Sequence, residues 1–145
     1  MPGAAPERFT LAIPVEPGDI DVNGHVNNVV YLRWVQDAAT AHWLARTSAA
    51  EKAAVTWVVV RHEIDYRRAA LPGDVIRAVT WVGPASRHTY ERNTELRREA
   101  DDTLLARART LWCPLEPATG RPCRLEDGLR ARFSTPGDPG EGAKG

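Results

Sequence analysis

Lysine is almost missing from this chain: of 19 basic residues, only Lys52 and Lys144 are lysine and the rest are arginine. The bases are matched by 19 acidic residues, giving a formal net charge of +0 and a sequence pI near 6.9. That balance removes the bulk attraction toward nucleic acid or an anionic membrane. Cysteine is scarce too. Cys113 and Cys123 have neither CxxC spacing nor a nearby His pair, so a zinc site is not expected. No run of 18 apolar residues exists; the best, Val55–Val60, is broken by Arg61. A transmembrane helix is therefore not expected. The first residues, MPGAAPERF, lack a basic segment followed by an apolar one, so the expectation is a cytoplasmic protein in a reducing compartment.

What is present fits one domain of 145 residues. Residues 1–7 and 134–145 are rich in Gly and Pro and poor in large apolar side chains, so they are expected to be tails around a domain at 8–133. Phe9, Leu11, Ile13 and Val15 alternate as in a strand, and Pro14 confines that strand to an edge. Residues 16–27 are turn chemistry. From Asn28 to Arg46 the chain is free of Gly and Pro and apolar on most sides, which predicts a buried helix capped by Asn27 or Asn28. Four strands are expected after it, at Val55–Tyr66, Val75–Gly83, Ser86–Arg98 and Thr103–Leu115, with a short helix over Leu125–Phe133. On the third of these, Arg87, Thr89, Glu91, Asn93, Glu95 and Arg97 would face solvent. On the fourth, Leu104, Ala106, Ala108 and Trp112 share a side. The grouped strands and single apolar helix predict an α+β fold, a curved antiparallel five-stranded sheet wrapped round one long central helix.

The densest cluster of functional side chains is Asp19-Ile-Asp21-Val-Asn23-Gly-His25-Val-Asn27-Asn28. Its first six positions match a calcium-binding loop. The twelfth is Val30, which supplies no carboxylate, and Pro14 and Pro17 deny the site an entering helix. Two readings remain. In one the segment is only a turn and a helix cap. In the other it is a hydrolytic site. Backbone N–H groups at the start of a helix carry partial positive charge and would stabilise an oxyanion. A neighbouring carboxylate would attack a carbonyl or deprotonate a water. No GxSxG segment supports a serine nucleophile.

The segment DIDVNGHVNNVVYLRWVQDA resembles the D-x-D-x-N-x-H-V-N-N-x-x-Y signature of the hotdog-fold acyl-CoA and acyl-carrier-protein thioesterases, the 4-hydroxybenzoyl-CoA thioesterase-like superfamily. IDYRRAALPGDVI is similar to their strand-turn-strand segment and TGRPCRLEDGLR to their closing turn. The resemblance implies a hotdog fold over residues 8–133. It implies a thioester hydrolase in which Asp21 is the general base or nucleophile. Asn23 would orient the water or carboxylate, and His25 would position the thioester or assist the leaving thiolate. Backbone N–H groups of Asn27 and Asn28 would form the oxyanion hole. Asp37 fits a further acidic position of the family; its plainer role is an (i, i+4) pair with Arg33. Ala69 stands where the acyl-carrier-protein branch has an acidic residue.

The expected substrate is an acyl thioester of CoA or acyl-carrier protein, with no metal, no organic cofactor and no nucleic-acid or membrane partner. The alternatives are a non-catalytic hotdog module that binds acyl-CoA, disfavoured by the intact Asp21, and a dehydratase, whose HFPG-like or D-x-N-x-x-H motif is absent. Arg67-Arg68 and Arg97-Arg98 are candidates for CoA phosphates or simply solvated strand ends. His42, His62 and His88 are expected to be surface or packing residues. Glu63 and Glu91 have no visible partner. A homodimer or dimer of dimers is expected, because a five-stranded sheet leaves open edges. Moreover, Val75, Val79 and Trp81 lie opposite Ile76, Ala78 and Val82, so both faces of one strand are partly apolar.

Overall fold

A computed structural model describes residues 5–135 of the chain. Alternation builds its main sheet. In β2 (Phe9–Pro14), Phe9, Leu11 and Ile13 are half-buried while Thr10, Ala12 and Pro14 are exposed. The other strands are β3 (Thr56–Tyr66), β4 (Val75–Ala85), β5 (Tyr90–Arg98) and β6 (Leu104–Leu115). Their order is β2-β4-β5-β6-β3, with all neighbours antiparallel. Pro14 sits at the end of an edge strand, where its missing N–H costs nothing. A second small sheet pairs β1 (Ala5–Pro6) with β7 (Ser134–Thr135). The paired backbone thus reaches past 8–133 at both ends, into segments expected to be tails. The remainder of those segments, 1–4 and 136–145, lies outside the described residues.

The helix α1 (Asn28–Arg46) has the expected bounds. Asn27 is the cap: its side-chain oxygen accepts from the Val29 N–H at 3.0 Å. Tyr31, Trp34, Val35, Ala38, Ala39 and His42 recur at helical spacing and are buried against the sheet. Burial is confined to that face, because Val29, Arg33, Gln36, Asp37, Thr40 and Leu44 are exposed. Trp34 and Val35 pack with Ile76, Ala78, Leu96 and Leu105 in the main core. This is the hotdog arrangement, one helix held in the curve of a five-stranded antiparallel sheet.

Several details depart from the alternation. A helix α2 (Ala49–Ala54) stands between α1 and β3, where no element was expected. Ser48 and Glu51 start it with a reciprocal capping box, the Glu51 N–H on Ser48 Oγ at 3.1 Å and the Ser48 N–H on Glu51 Oε1 at 2.8 Å. The β5–β6 register slips between Leu96 and Arg97, so Leu105 takes the fully buried place and Leu104 is only half-buried. Both faces of β4 are partly apolar, as expected, with Val75, Val79 and Trp81 on the outer one, and the outer face around them is largely an ion-pair lattice. Arg77 meets Glu99, Arg107 meets Glu95, and Arg109 bridges Glu91 and Glu63. Trp81 is covered by the Arg8 guanidinium 3.9 Å from its ring centre. The closing helix is α3 (Asp127–Ala131), shorter than Leu125–Phe133; it seats Leu129 on a second cluster with Tyr90, Leu125 and Phe133.

A buried polar chain crosses the interior. His42, at 0% exposure, bonds Glu7 Oε1 through Nε2 at 2.7 Å, and its Nδ1 lies 2.9 Å from an Arg92 N–H. Arg92 can only donate, so Nδ1 accepts, Nε2 carries the proton and the ring is neutral. Burial pushes the His42 pKa below its ordinary 6.5, and the Arg92 charge adds to that. Glu7 is held below its ordinary 4.5, chiefly by the Arg46 hydrogen bond and then by His42.

Both shifts fix the direction of the pH response. Below the ordinary imidazole value of 6.5 the unfolded chain takes up a proton at His42 that the folded chain refuses, so stability falls with acid. Glu7 stabilises fully above its ordinary 4.5, and that part is lost as the pH falls through its lower folded value. Urea midpoints are expected to drop between pH 7 and 5.5. His42→Gln, which keeps one donor and one acceptor, is expected to make that drop shallower; an unchanged slope would assign the acid sensitivity elsewhere.

Candidate active site

The two carboxylates of the Asp19-Ile-Asp21 pair have different fates. Asp19 is 4% exposed. Its Oδ1 accepts from Arg33 at 2.9 Å and its Oδ2 from the Glu16 N–H at 2.9 Å, which closes the 3-10 turn Pro17–Asp19. Arg33 therefore pairs with Asp19 and not with Asp37, correcting the expected i, i+4 pair. Asp37 stands exposed on the open face of α1 with no ion pair among the described residues.

Asp21 heads a tight hairpin. Gly24 N–H bonds Asp21 O at 3.0 Å and Asp21 N–H bonds His25 O at 2.9 Å. Gly24 lies at φ +78, a left-handed position that closes the turn and suits glycine. The Asp21 carboxylate accepts one bond, from the Asn23 N–H at 2.9 Å. Its remaining acceptor sites are open, as are the side chains of Asn23 and His25, which make no hydrogen bond among the described residues and are exposed. The acid that folds the loop and the acid free to react are thus separate residues.

Asp21, Asn23, His25 and Asn28 line one cleft of about 340 Å³, whose opposite wall includes Tyr66, Arg67 and Arg68. Asn27 is not part of it. Its N–H is already donated to Asp19 O at 2.9 Å, so it is not free for an oxyanion. Among the described residues the Asn28 N–H has no partner, and the first turn of α1 carries no acidic residue to neutralise the helix end. The expectation of two N–H donors therefore narrows to one. Asp37 does not reach the cleft. Tyr66 was not foreseen as a wall; the flagged IDYRRAALPGDVI segment was its only signal.

Tyr31 fastens the two walls together. Its hydroxyl, 3.4 Å from Arg68 O, donates to that carbonyl and accepts from the Ala70 N–H at 2.8 Å. Burial raises its pKa, so the phenol keeps its proton. The hairpin joins the same loop through Val26 N–H on Ala70 O at 3.0 Å, and Tyr66 Oη donates to Asn28 O at 3.2 Å. Among the described residues no group of three or more His, Cys, Asp and Glu side chains is placed to hold a metal ion, and no helix is long and apolar enough to cross a membrane.

Tyr31→Phe leaves the buried Ala70 N–H without its acceptor. It is expected to cost about 1–3 kcal/mol in urea unfolding and to speed hydrogen exchange at the Ala70 amide. Unaltered exchange there would show that the hydroxyl does not hold the loop.

Comparison with known proteins bears on the family and the fold. Residues 15–133 match the model of the thioesterase-like superfamily. An acyl-[acyl-carrier-protein] hydrolase of Cuphea viscosissima is 30% identical over 101 residues, 70% of this chain; the chain spans about a fifth of that relative, 22% of its length. A Thermus thermophilus thioesterase complexed with coenzyme A and Zn superposes with TM-score 0.75 and 26% identity, covering 86% of this chain and 90% of that one. A 1,4-dihydroxy-2-naphthoyl-CoA thioesterase from Synechocystis shares the fold at TM-score 0.75 and 22% identity, covering 88% and 96%. With the family model spanning the hairpin, the helix and four of the five strands of the main sheet, this chain belongs to the thioesterase-like superfamily.

Proposed function

We propose that this chain hydrolyses acyl thioesters of a phosphopantetheine carrier, with Asp21 as the reacting carboxylate. The observation that carries the reading is an acid with open acceptor sites, in one cleft with Asn23, His25 and the first residue of an unneutralised helix, in a chain of this superfamily. The thioester carbonyl oxygen takes the Asn28 N–H as it becomes negative. Asp21 either attacks the carbonyl carbon, expelling the thiolate and leaving an acyl anhydride for water to open, or removes a proton from a water that attacks directly. His25 protonates or steadies the leaving sulfur, and Asn23 orients the water or the carboxylate. Asp37 is left with no part in the reaction.

Arg67 and Arg68 are exposed on the cleft wall and make no ion pair among the described residues. Their freedom suits a carrier phosphate, which both CoA and acyl-carrier protein present. The Thermus thioesterase carries coenzyme A and the Cuphea relative acts on acyl-carrier protein. Ala69, where the acyl-carrier-protein branch has an acid, inclines the reading toward CoA.

Asp21→Asn is the decisive variant. The amide keeps the oxygen that accepts from the Asn23 N–H, so the hairpin folds as before, but it is neither base nor nucleophile. Thiol release from acyl-CoA is expected to fall about 10²–10⁴-fold with unchanged thermal stability. Wild-type turnover would overturn the role of Asp21, and tight acyl-CoA binding without turnover in the unmodified protein would make the chain a binding module. Labelled water in a single turnover separates the two routes: label in the enzyme carboxylate means attack by Asp21.

The working unit we propose is a homodimer or a dimer of dimers. With the outer face occupied by ion pairs, the support comes from the sheet edge. β3 is an edge strand with exposed Val58 and Val60 and no strand beyond it among the described residues. Light scattering in the low micromolar range is expected to exceed the 16.0 kDa of one chain, with activity and stability falling together on dilution. A fully active monomer would overturn it.

A further inference from the structure

A second cavity, of about 250 Å³, lies toward the other end of α1. It touches Thr40 and Trp43, whereas the Asp21 cleft touches Asn28 and Tyr31. Asn28 and Thr40 are about 18 Å apart along the helix axis at 1.5 Å per residue. The walls are aromatic: Trp43 from α1, Trp57 from β3, Tyr90 from β5 and Trp112 from β6. The rings meet edge to face, Trp57 against Trp43 at 5.4 Å, against Tyr90 at 5.8 Å and against Trp112 at 6.4 Å.

The polar groups of this cavity are mostly donors. Arg92 lines it at 8% exposure, and among the described residues its N–H groups reach only His42 Nδ1 and Thr80 Oγ1. Arg130 lines it too; it donates to Gly83 O at 2.6 Å and lies 5.5 Å from the Tyr90 ring centre. Among the described residues neither guanidinium has a carboxylate within ion-pair distance. Glu7, on the far side of the His42 ring, is already paired with Arg46 at 2.8 Å. The one carboxylate on the cavity wall, Glu91, is held by Arg109 at 2.8 Å and by Asn93. The Tyr90 hydroxyl is engaged by the Leu125 N–H at 3.0 Å. The buried indole N–H groups of Trp57 and Trp112 have no acceptor among the described residues.

Buried charge without a counter-ion is costly, and buried donors without acceptors add to that cost. The strain registers on the arginines themselves. Burial, and then the Arg130 charge, lowers the Arg92 pKa to about 10, and burial lowers that of Arg130. An acceptor-only group with a negative charge would answer the two guanidinium groups that line the cavity. A planar apolar body would fill the space between the indoles. A cavity of about 150 Å³ takes benzene, so this one has room for one or two rings.

We propose that this cavity binds an aromatic carboxylate, its ring lying among Trp43, Trp57 and Trp112 and its carboxylate held by Arg92 and Arg130. The inference stands apart from the hydrolytic reading, since it uses neither Asp21 nor its cleft.

The test is titration of the full chain with 2-naphthoate and with 2-naphthamide, which has the same shape without the charge, followed by tryptophan fluorescence and calorimetry. Naphthoate is expected to saturate a single site and quench fluorescence, with the amide at least tenfold weaker. Arg92→Met is expected to weaken naphthoate at least tenfold and leave the amide unchanged. Arg130→Gln is likewise expected to weaken naphthoate and leave the amide unchanged, and it decides the matter if the Arg92 variant does not fold. Asp21→Asn is expected to bind naphthoate like the unmodified chain. Equal affinity for acid and amide, no binding of either, or indifference to both arginine substitutions would overturn the proposal. Loss of naphthoate binding in Asp21→Asn would place the ligand in the other cleft and overturn it too.

Discussion

The Tyr31 hydroxyl ties helix to loop, and the geometry of the Asp21 cleft depends on that tie. Tyr31 belongs to the first turns of α1, and its ring meets Trp34 at a tilt and Tyr66 edge to face, with centres 5.2 Å apart in each case. Packing therefore fixes where the hydroxyl points before any loop is considered. The Arg67–Asp74 loop then closes on it through Ala70 N–H and Arg68 O, and the hairpin closes on the loop through Val26. Each wall of the cleft is built largely from a loop, the hairpin on one side and the Arg67–Asp74 segment on the other, yet both refer to one rigid phenol. A buried hydroxyl that both donates and accepts suits this task, because an unmade bond at either side would leave a polar group stranded in the core.

Asp19 has a comparable role on the other flank. Buried, doubly bonded and paired with Arg33, it sets the entry to the hairpin. Its carbonyl occupies the Asn27 N–H. This leaves Asn28 alone at the helix end. A carboxylate used in this way has lost the acceptor capacity that a nucleophile or base needs, so the segment requires two acids to supply one reactive one. Crowding that made little sense as a mere turn follows from that division.

Much of this was legible in the residues. The uninterrupted stretch after Asn27 gave α1 its bounds, and odd-numbered polar residues on β5 gave its outer face. The same alternation forced Arg92 inward. A buried arginine could have been read from that parity, but what surrounds it could not, since His42, Thr80 and Glu7 come from three other parts of the chain. The capping box of Ser48 and Glu51 is a local signal for α2, carried by only two residues three positions apart in a short segment. The Leu105 bulge had no local signal, because Leu104 and Leu105 are identical in type and only the register of β5 decides between them. Arg33 had two candidate acids, and helix spacing favoured Asp37. Burial decided otherwise: a carboxylate enclosed by protein gains more from a guanidinium than one already bathed in water.

The helix also separates the two ends of the molecule by electrostatic character. At its start the positive dipole end is left without an acidic residue in the first turn, and the carboxylate that shares its cleft is Asp21 on the hairpin. A ligand that becomes negative during reaction is favoured there, while a permanently bound anion would compete with it. At the far end Arg46 already satisfies the dipole, and Glu7 answers Arg46 through a bond that also orients His42. Arg92 is thereby held by a neutral imidazole in place of an acid. Had Glu7 reached Arg92 directly, its charge would have been cancelled within the fold. Because Glu7 acts through a ring that only accepts at Nδ1, Arg92 is oriented and its charge is left over. That leftover charge, walled by indoles, makes the second cavity differ from the apolar core beside it, where Trp34 and Leu96 leave no charge to be answered.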